Sequence, residues 1–503
     1  MKKIIASEIA VLDSNVHTGG GTDVTDKLQA ALDEALSCDG VHLVVDGAAL
    51  VKGLKLHSNT IIECINDDCG FFMADHTNRP ILTNANWALK GKGNKNITII
   101  GGTYNHNCTK QDHDVPASQY PNPEGEMTPE YAAIHRIYLM EFYGIENFKL
   151  SGVTFKNQRT YTFTMGNFKN VIIENSSIDM AEHVHPSNQD GYHFFGPGQF
   201  LTMRNLRGCT GDDFINLAPD EMDGKSPITD VLIDGIFFDE VCQGIRMLSE
   251  KDGLLDRITV RNVTGTYRMF GFSIIPFITG NTFGNVGDLY FENIDLRQIP
   301  ETYHYTPMQF FGAGGNIKSL TLKNVRFHNP VRGSLVFDIG RPFFFAPDEL
   351  TEDEIEEYNI DMSQYPVKDW MPDKQYRPTI GTFTIDGLTI DTDEVMNDKN
   401  YMEFRYNFDN LILKNIHVFR KGDIPASGIL FKLANEAKIG NLIIEDVFAE
   451  KLGAVLSTDT GNEIGLLKVS NVTLKDGGKI FDTDDASVGA TLTSDINEVT
   501  TNK

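Results

Sequence analysis

The stretch FKLSGVTFKNQRTYTFTMGNFKNVIIENSSID, residues 148–179, contains one short pattern twice. In FKLSGV at 148 and VIIENS at 171, apolar residues alternate with variable ones, and a small or polar turn residue follows. Such alternation describes a strand with one buried face. The pattern returns as LTMRNL (201), VLIDGI (231), ITVRNV (258), LYFENI (289), LTLKNV (320), FTIDGL (383), LILKNI (411), LIIEDV (442) and LKVSNV (467), with weaker copies NTIIEC (59) and ITIIGG (97). From 148 to 467 successive full copies lie 23 to 31 residues apart, except for one gap of 63 that holds an aromatic and acidic insertion at 341–378.

A strand-and-turn unit of that length, without helical stretches between copies, is too short for a propeller blade and lacks the Leu/Asn frame of leucine-rich repeats. It fits a coiled parallel solenoid whose turns stack at roughly 4.8 Å, the spacing between neighbouring strands. The open ends of such a stack would template aggregation. At the N-terminal end TDVTDKLQAALDEALS (22–37) supplies a helix, with Leu28, Ala31, Leu32, Ala35 and Leu36 on one face and Thr25 as its N-cap. At the other end the polar residues 484–503 are expected to fray or form a short cap. The reading is one domain over 1–503, with loop insertions at 108–136 and 341–378; a division near 340–376 is the alternative.

The net charge of −26, from 70 acidic and 44 basic residues, argues against nucleic acid and anionic membranes as partners. Six cysteines without a CxxC pair argue for buried free thiols rather than a disulfide framework or a metal site. No run of 18 apolar residues occurs, and the start MKKIIASEIAVLDSN is too short and polar for a secretory segment. The expected compartment is the cytoplasm, or the exterior if a leader has been removed.

NQDGYH (188–193) and GDDFINL (211–217) put Asp190 and Asp212 22 residues apart, about one coil, with Asp213 extending the cluster. One coil is one strand spacing, so these carboxylates become neighbours. Crowded carboxylates cannot all ionise easily. One is therefore pushed toward the protonated form, the division of labour that an acid/base pair needs. The alternatives at this point are a mere Asp190-Gly191 turn, or a Ca²⁺ site formed by Asp212, Asp213 and Asp220. His185, in the loop before the pair, and Arg159, from the preceding coil, are candidates to line a cleft.

These segments carry a resemblance. GGGTDVTDKLQAALDEA (19–35) followed by LVVDGAALVKGLKLHSNTIIE (43–63) resembles the start of the pectin-lyase-like β-helix superfamily, and GGTYNHNCTKQ (101–111) a segment one or two coils later. NQDGYH and GDDFINL resemble the two acidic motifs of polygalacturonase-type glycoside hydrolases of family 28. The resemblance implies an all-β, single-stranded right-handed parallel β-helix with a short N-terminal capping helix. It implies Asp190, Asp212 and Asp213 as catalytic carboxylates, with Asp212 the acid, Asp190 and Asp213 activating water, and inversion at the sugar. It implies a carbohydrate substrate, with no cofactor and no catalytic metal. His193 stands where the family's first motif has a second Asp. Gln243, in CQGIRML, stands where the family has a His, and GFSIIPF (271–277) lacks the family's next cationic pair. Arg246 is the substitute candidate for gripping substrate. The pattern implies hydrolysis without the usual hold on galacturonate. A polysaccharide lyase and a non-catalytic carbohydrate-binding β-helix are the rival readings.

Overall fold

The computed structural model describes residues 1–88, 91–111, 137–181, 189–219, 227–249, 253–275, 285–299, 308–328, 335–340, 379–392, 400–405, 407–422, 424–434, 436–483 and 487–500. Its contacts divide the chain into two compact units, Met1–Cys242 and Gln243–Lys503. Of the expected insertion at 108–136 the residues 112–136 lie outside the described residues, as do the whole of that at 341–378 and the candidates His185 and Asp220.

In the first unit every strand pairing is parallel, and three ladders can be followed. One climbs from Lys2–Ile5 through Val41–Val45, Thr60–Cys64, Asn94–Ile100, Met140–Ser151 and Phe163–Glu174 to Tyr192–Gly208. A second runs from Ala48–Val51 through Gly70–Met73, Thr103–Asn105 and Thr154–Lys156 to Ser177–Asp179. A third starts at Leu54–Leu56 and Leu82–Asn84, passes through the early residues of Met140–Ser151, Phe163–Glu174 and Tyr192–Gly208, and reaches Asp213–Ala218. Each pass around the chain adds one strand to each ladder, so the sequence repeat is one coil of a parallel solenoid. The second unit repeats the scheme from Leu254–Ile275 to Ser487–Val499, again parallel throughout.

The turn residue of the repeat explains itself in the backbone. Asn262, Asn293 and Asn324 all have left-handed φ, at 57°, 56° and 51°. Asparagine tolerates that region better than other side chains, apart from glycine. Its amide also bonds the same residue of the next coil: Asn293 Nδ2 donates to Asn262 Oδ1 at 3.1 Å, and Asn324 Nδ2 to Asn293 Oδ1 at 2.8 Å. In the first unit Asn205 donates to Asn175 at 3.1 Å in the same way. The apolar positions flanking the turn point inward and are buried, as with Leu289, Phe291 and Ile294.

The N-terminal helix is shorter than its sequence pattern. It spans Thr25–Asp33, and Glu34–Leu36 tightens to a 3₁₀ turn. Leu28, Ala31 and Leu32 are buried, whereas Leu36 is 73% exposed, because the tighter turn carries it off the apolar face. Thr25 is not the cap. The Asp23 carboxylate accepts the Thr25 N–H at 3.0 Å, and the Thr25 hydroxyl accepts the Lys52 N–H at 2.8 Å, tying the helix to the first coil. At the far end, where the chain is expected to fray or form a short cap, Ser487–Val499 is a strand. It pairs in register with Glu463–Lys475, because main-chain hydrogen bonds extend a ladder even where the side chains stay in water. All six cysteines are free: Cys64, Cys69, Cys108 and Cys242 are buried, Cys209 is half-buried and Cys38 is exposed. Among the described residues no helix is long and apolar enough to cross a membrane.

Candidate active site

Four consecutive strands of the first unit bring one polar row together. Glu141 pairs with Thr164, Thr164 with His193, and His193 with Asn216. Three residues before His193 and Asn216 stand Asp190 and Asp213. The Gly191 N–H donates to the Asp213 carbonyl at 2.8 Å, which makes Asp213, rather than Asp212, the register neighbour of Asp190. Gly191 is required here: a Cβ would stand 2.4 Å from the Phe214 carbonyl oxygen. Asp212 falls on the bend before the strand, half-exposed, and its carbonyl accepts the Thr210 hydroxyl at 2.8 Å.

Each buried aspartate is held by the residue three positions on. Asp190 Oδ2 lies 2.8 Å from His193 Nδ1, and Asn216 Nδ2 donates to Asp213 Oδ2 at 2.9 Å. Asp190 and Asp213 are 3% and 4% exposed, a burial that ionised carboxylates tolerate only with hydrogen-bonding partners. An ionised carboxylate only accepts, so with Asp190 charged the shared proton is on Nδ1. The imidazole is oriented by stacking on Tyr161, 4.4 Å away and 7° from parallel, and Tyr161 stacks in turn on Tyr138 at 4.9 Å. Thr164 Oγ1 and Asn216 Oδ1, on either side of His193 in the row, are buried without a hydrogen-bond partner among the described residues.

No protein-family model matches the sequence, and no curated protein matches it either. Solved structures do. A mutant tailspike protein of E. coli bacteriophage HK620 aligns over 95% of this chain and 75% of its own, at 12% identity and a TM-score of 0.55. Another mutant form of that tailspike, in complex with hexasaccharide, covers 95% and 76% at 10% identity and a TM-score of 0.53. A hyperthermoactive exopolygalacturonase from Thermotoga maritima covers 91% of both chains at 13% identity and a TM-score of 0.49. The fold is a right-handed parallel β-helix.

On this β-helix the sequence candidates separate. Asp190, Asp213 and His193 meet, with Asp212 on the adjoining bend. Arg159 is 1% exposed, and its backbone N–H donates to His106 Nδ1 at 3.1 Å. Gln243 and Arg246 belong to the second unit. There Arg246 donates to Gln243 Oε1, Gln243 Nε2 donates to Met269 Sδ at 3.7 Å, and the guanidinium lies 5.1 Å from the centre of the Phe270 ring. These two repeat the three-residue clasp of the aspartates with different chemistry.

Sequence reasoning missed two residues of the first unit. His106 is fully buried, accepting at Nδ1 from Arg159 and facing the Arg79 carbonyl with Nε2 at 3.1 Å. Burial, with the Arg159 charge adding to it, holds its pKa down at about 4, so it is a neutral Nε2–H tautomer near neutral pH. Gln189, one residue before Asp190, donates from Nε2 to the Gln158 carbonyl at 2.9 Å and fastens the acidic turn to the preceding coil. Both lie in segments that carry the resemblance, His106 in GGTYNHNCTKQ and Gln189 in NQDGYH, yet only the contacts show what they hold.

Proposed function

We propose that this chain is a glycoside hydrolase that cleaves an oligo- or polysaccharide by carboxylate acid/base catalysis. The observation that carries the reading is the Asp190–Asp213 neighbourhood, with Asp212 on the bend beside it. Asp212, the one in contact with solvent, donates its proton to the glycosidic oxygen as the C–O bond breaks. Water adds to the anomeric carbon and gives up its proton to Asp190 or Asp213, which then returns the site to its starting protonation by exchange with solvent. Inversion at that carbon rests on the resemblance to family 28.

The Thr164 hydroxyl and Asn216 carbonyl oxygen, buried without a hydrogen-bond partner among the described residues, support a hydroxyl-rich ligand, since buried polar atoms are nearly always paired. The hexasaccharide held by a tailspike of the same fold supports carbohydrate as the ligand class. Substrate contact by His193, His185, Arg159, Gln243 and Arg246 is part of the proposal. The missing cationic grip argues for a sugar other than galacturonate.

The test is release of reducing ends across a glycan panel by the purified chain and by Asp212→Asn. Loss of about 10²–10⁴-fold in rate is expected for removal of a general acid. Undiminished release by the variant overturns the assignment. An unsaturated product would make the enzyme a lyase, and binding without turnover a lectin.

A further inference from the structure

A groove of about 760 Å³ crosses the coils of the first unit, away from the Asp190 row. Its floor is one outward position repeated coil after coil: Ser58, Lys95, Glu146, Lys169, Gln199 and Thr229. Glu146 is in register with both Lys95 and Lys169, Lys169 with Gln199, and Gln199 with Thr229. The Lys95 N–H donates to Ser58 Oγ at 3.1 Å and continues the row downward. Five inter-strand steps make the floor roughly 24 Å long. Pro197 and Pro227 add apolar surface to its lining.

The charge here runs against the rest of the protein. The chain carries −26, yet this groove holds Lys92, Lys95 and Lys169 against Glu146 alone. Elsewhere, several lysines in register with an acid close an ion pair: Lys156 with Asp179 at 2.7 Å, Lys414 with Glu445 at 2.8 Å, Lys475 with Glu450 at 2.8 Å. Among the described residues no ion pair engages Lys92, Lys95 or Lys169, although Glu146 stands between two of them. At the other end Gln199 Nε2 and the Thr229 hydroxyl both donate to the Asp230 carboxylate, so the cationic part is the Lys92–Lys169 portion.

We propose that this groove binds an extended anionic glycan, at a site separate from the Asp190 cluster. Lys95 and Lys169 are two steps apart, about 10 Å, which suits charges carried on alternate or widely spaced units of a chain. The Ser58 hydroxyl and the Gln199 amide on either side of them suit sugar hydroxyls. A single phosphate would use only one end of a floor roughly 24 Å long. Duplex nucleic acid carries a charge about every 1.7 Å of its axis, far denser than this row, and the net charge of the protein repels it.

The test measures binding of the full chain to size-fractionated alginate oligosaccharides (carboxylate), sulfated dextran oligosaccharides (sulfate), neutral dextran of equal length, inorganic phosphate and a single-stranded oligonucleotide. Binding of at least one anionic glycan, rising with length, is expected, and the better of the two identifies the anion. The exposed-residue variant Lys95→Glu/Lys169→Glu should weaken it about tenfold or more while leaving glycan cleavage intact. Asp190→Asn/Asp212→Asn should lose cleavage and keep groove binding, so that the two readings fail separately. The proposal is overturned if neither anionic glycan binds, if neutral dextran, phosphate or the oligonucleotide binds as tightly, or if the lysine variant binds like the wild type.

Discussion

Asp190 and His193 share a 2.8 Å hydrogen bond while almost wholly removed from water, at 3% and 1% exposure. His193→Phe would keep the stack on Tyr161 and remove the bond. The buried Asp190 carboxylate would then lose a partner, at a cost of about 1–3 kcal/mol. Urea unfolding should show that loss. It should also show the Asp190→Asn/His193→Phe double variant less destabilised than the sum of the singles, because contacting residues couple. Strict additivity would mean that the pair is not coupled.

The asparagine ladder makes its own prediction. Asn293 donates to Asn262 and accepts from Asn324 in a left-handed turn. Asn293→Ala loses both bonds and puts in that region a residue that tolerates it less well than asparagine, for an expected cost of about 2–3 kcal/mol. Asn293→Gly removes the backbone strain but not the lost bonds and should fall between Ala and the wild type. Denaturant midpoints of the three proteins give the order directly.

Acid should destabilise the fold through His106. Its folded pKa of about 4 lies below the ordinary 6.5, so the unfolded chain takes up this proton first. Its contribution is whole above about pH 6.5 and declines as the pH falls toward 4, by up to about 3 kcal/mol. His106→Gln should be less stable at neutral pH yet show a shallower fall across this window. Equal slopes in stability-against-pH curves would remove His106 from the account.

Thiol reactivity should follow burial. Desolvation pushes the Cys64 thiol up to about 12, and raises Cys69 as well, while Cys38 is exposed. The thiolate is the reactive form. Iodoacetamide at mildly alkaline pH should modify Cys38 first and reach Cys64 only on unfolding, as read by peptide mass mapping. Labelling of Cys64 at the rate of Cys38 in the native protein would contradict this arrangement.

Much of the architecture was legible because a solenoid writes its geometry into the chain locally. Each coil needs inward apolar residues and a left-handed corner, so residues such as Phe291 and Asn293 recur at the coil period and can be counted. The same period makes neighbours of the two acidic motifs from the chain alone. Two local details resisted: the helix ended at Asp33, and the C-terminal segment became a strand, since main-chain pairing needs no apolar pattern.

The site was legible as a region and not as a geometry. Counting 22 residues made Asp212 the partner of Asp190. The bend at Gly211 and Asp212 lengthens that coil to the 23-residue register of Tyr192 with Ile215, so that Asp213 takes the place. The clasp of Asp190 by His193, its stack on Tyr161 and the neutral burial of His106 came only from the tertiary structure. Sequence by itself determined the repeat, the fold class and which coils hold the carboxylates, because backbone corners and buried faces obey local, periodic rules. Only the folded chain decided which side chains meet, because a one-residue change in coil length exchanges one aspartate for the next, and burial depends on neighbours distant in sequence.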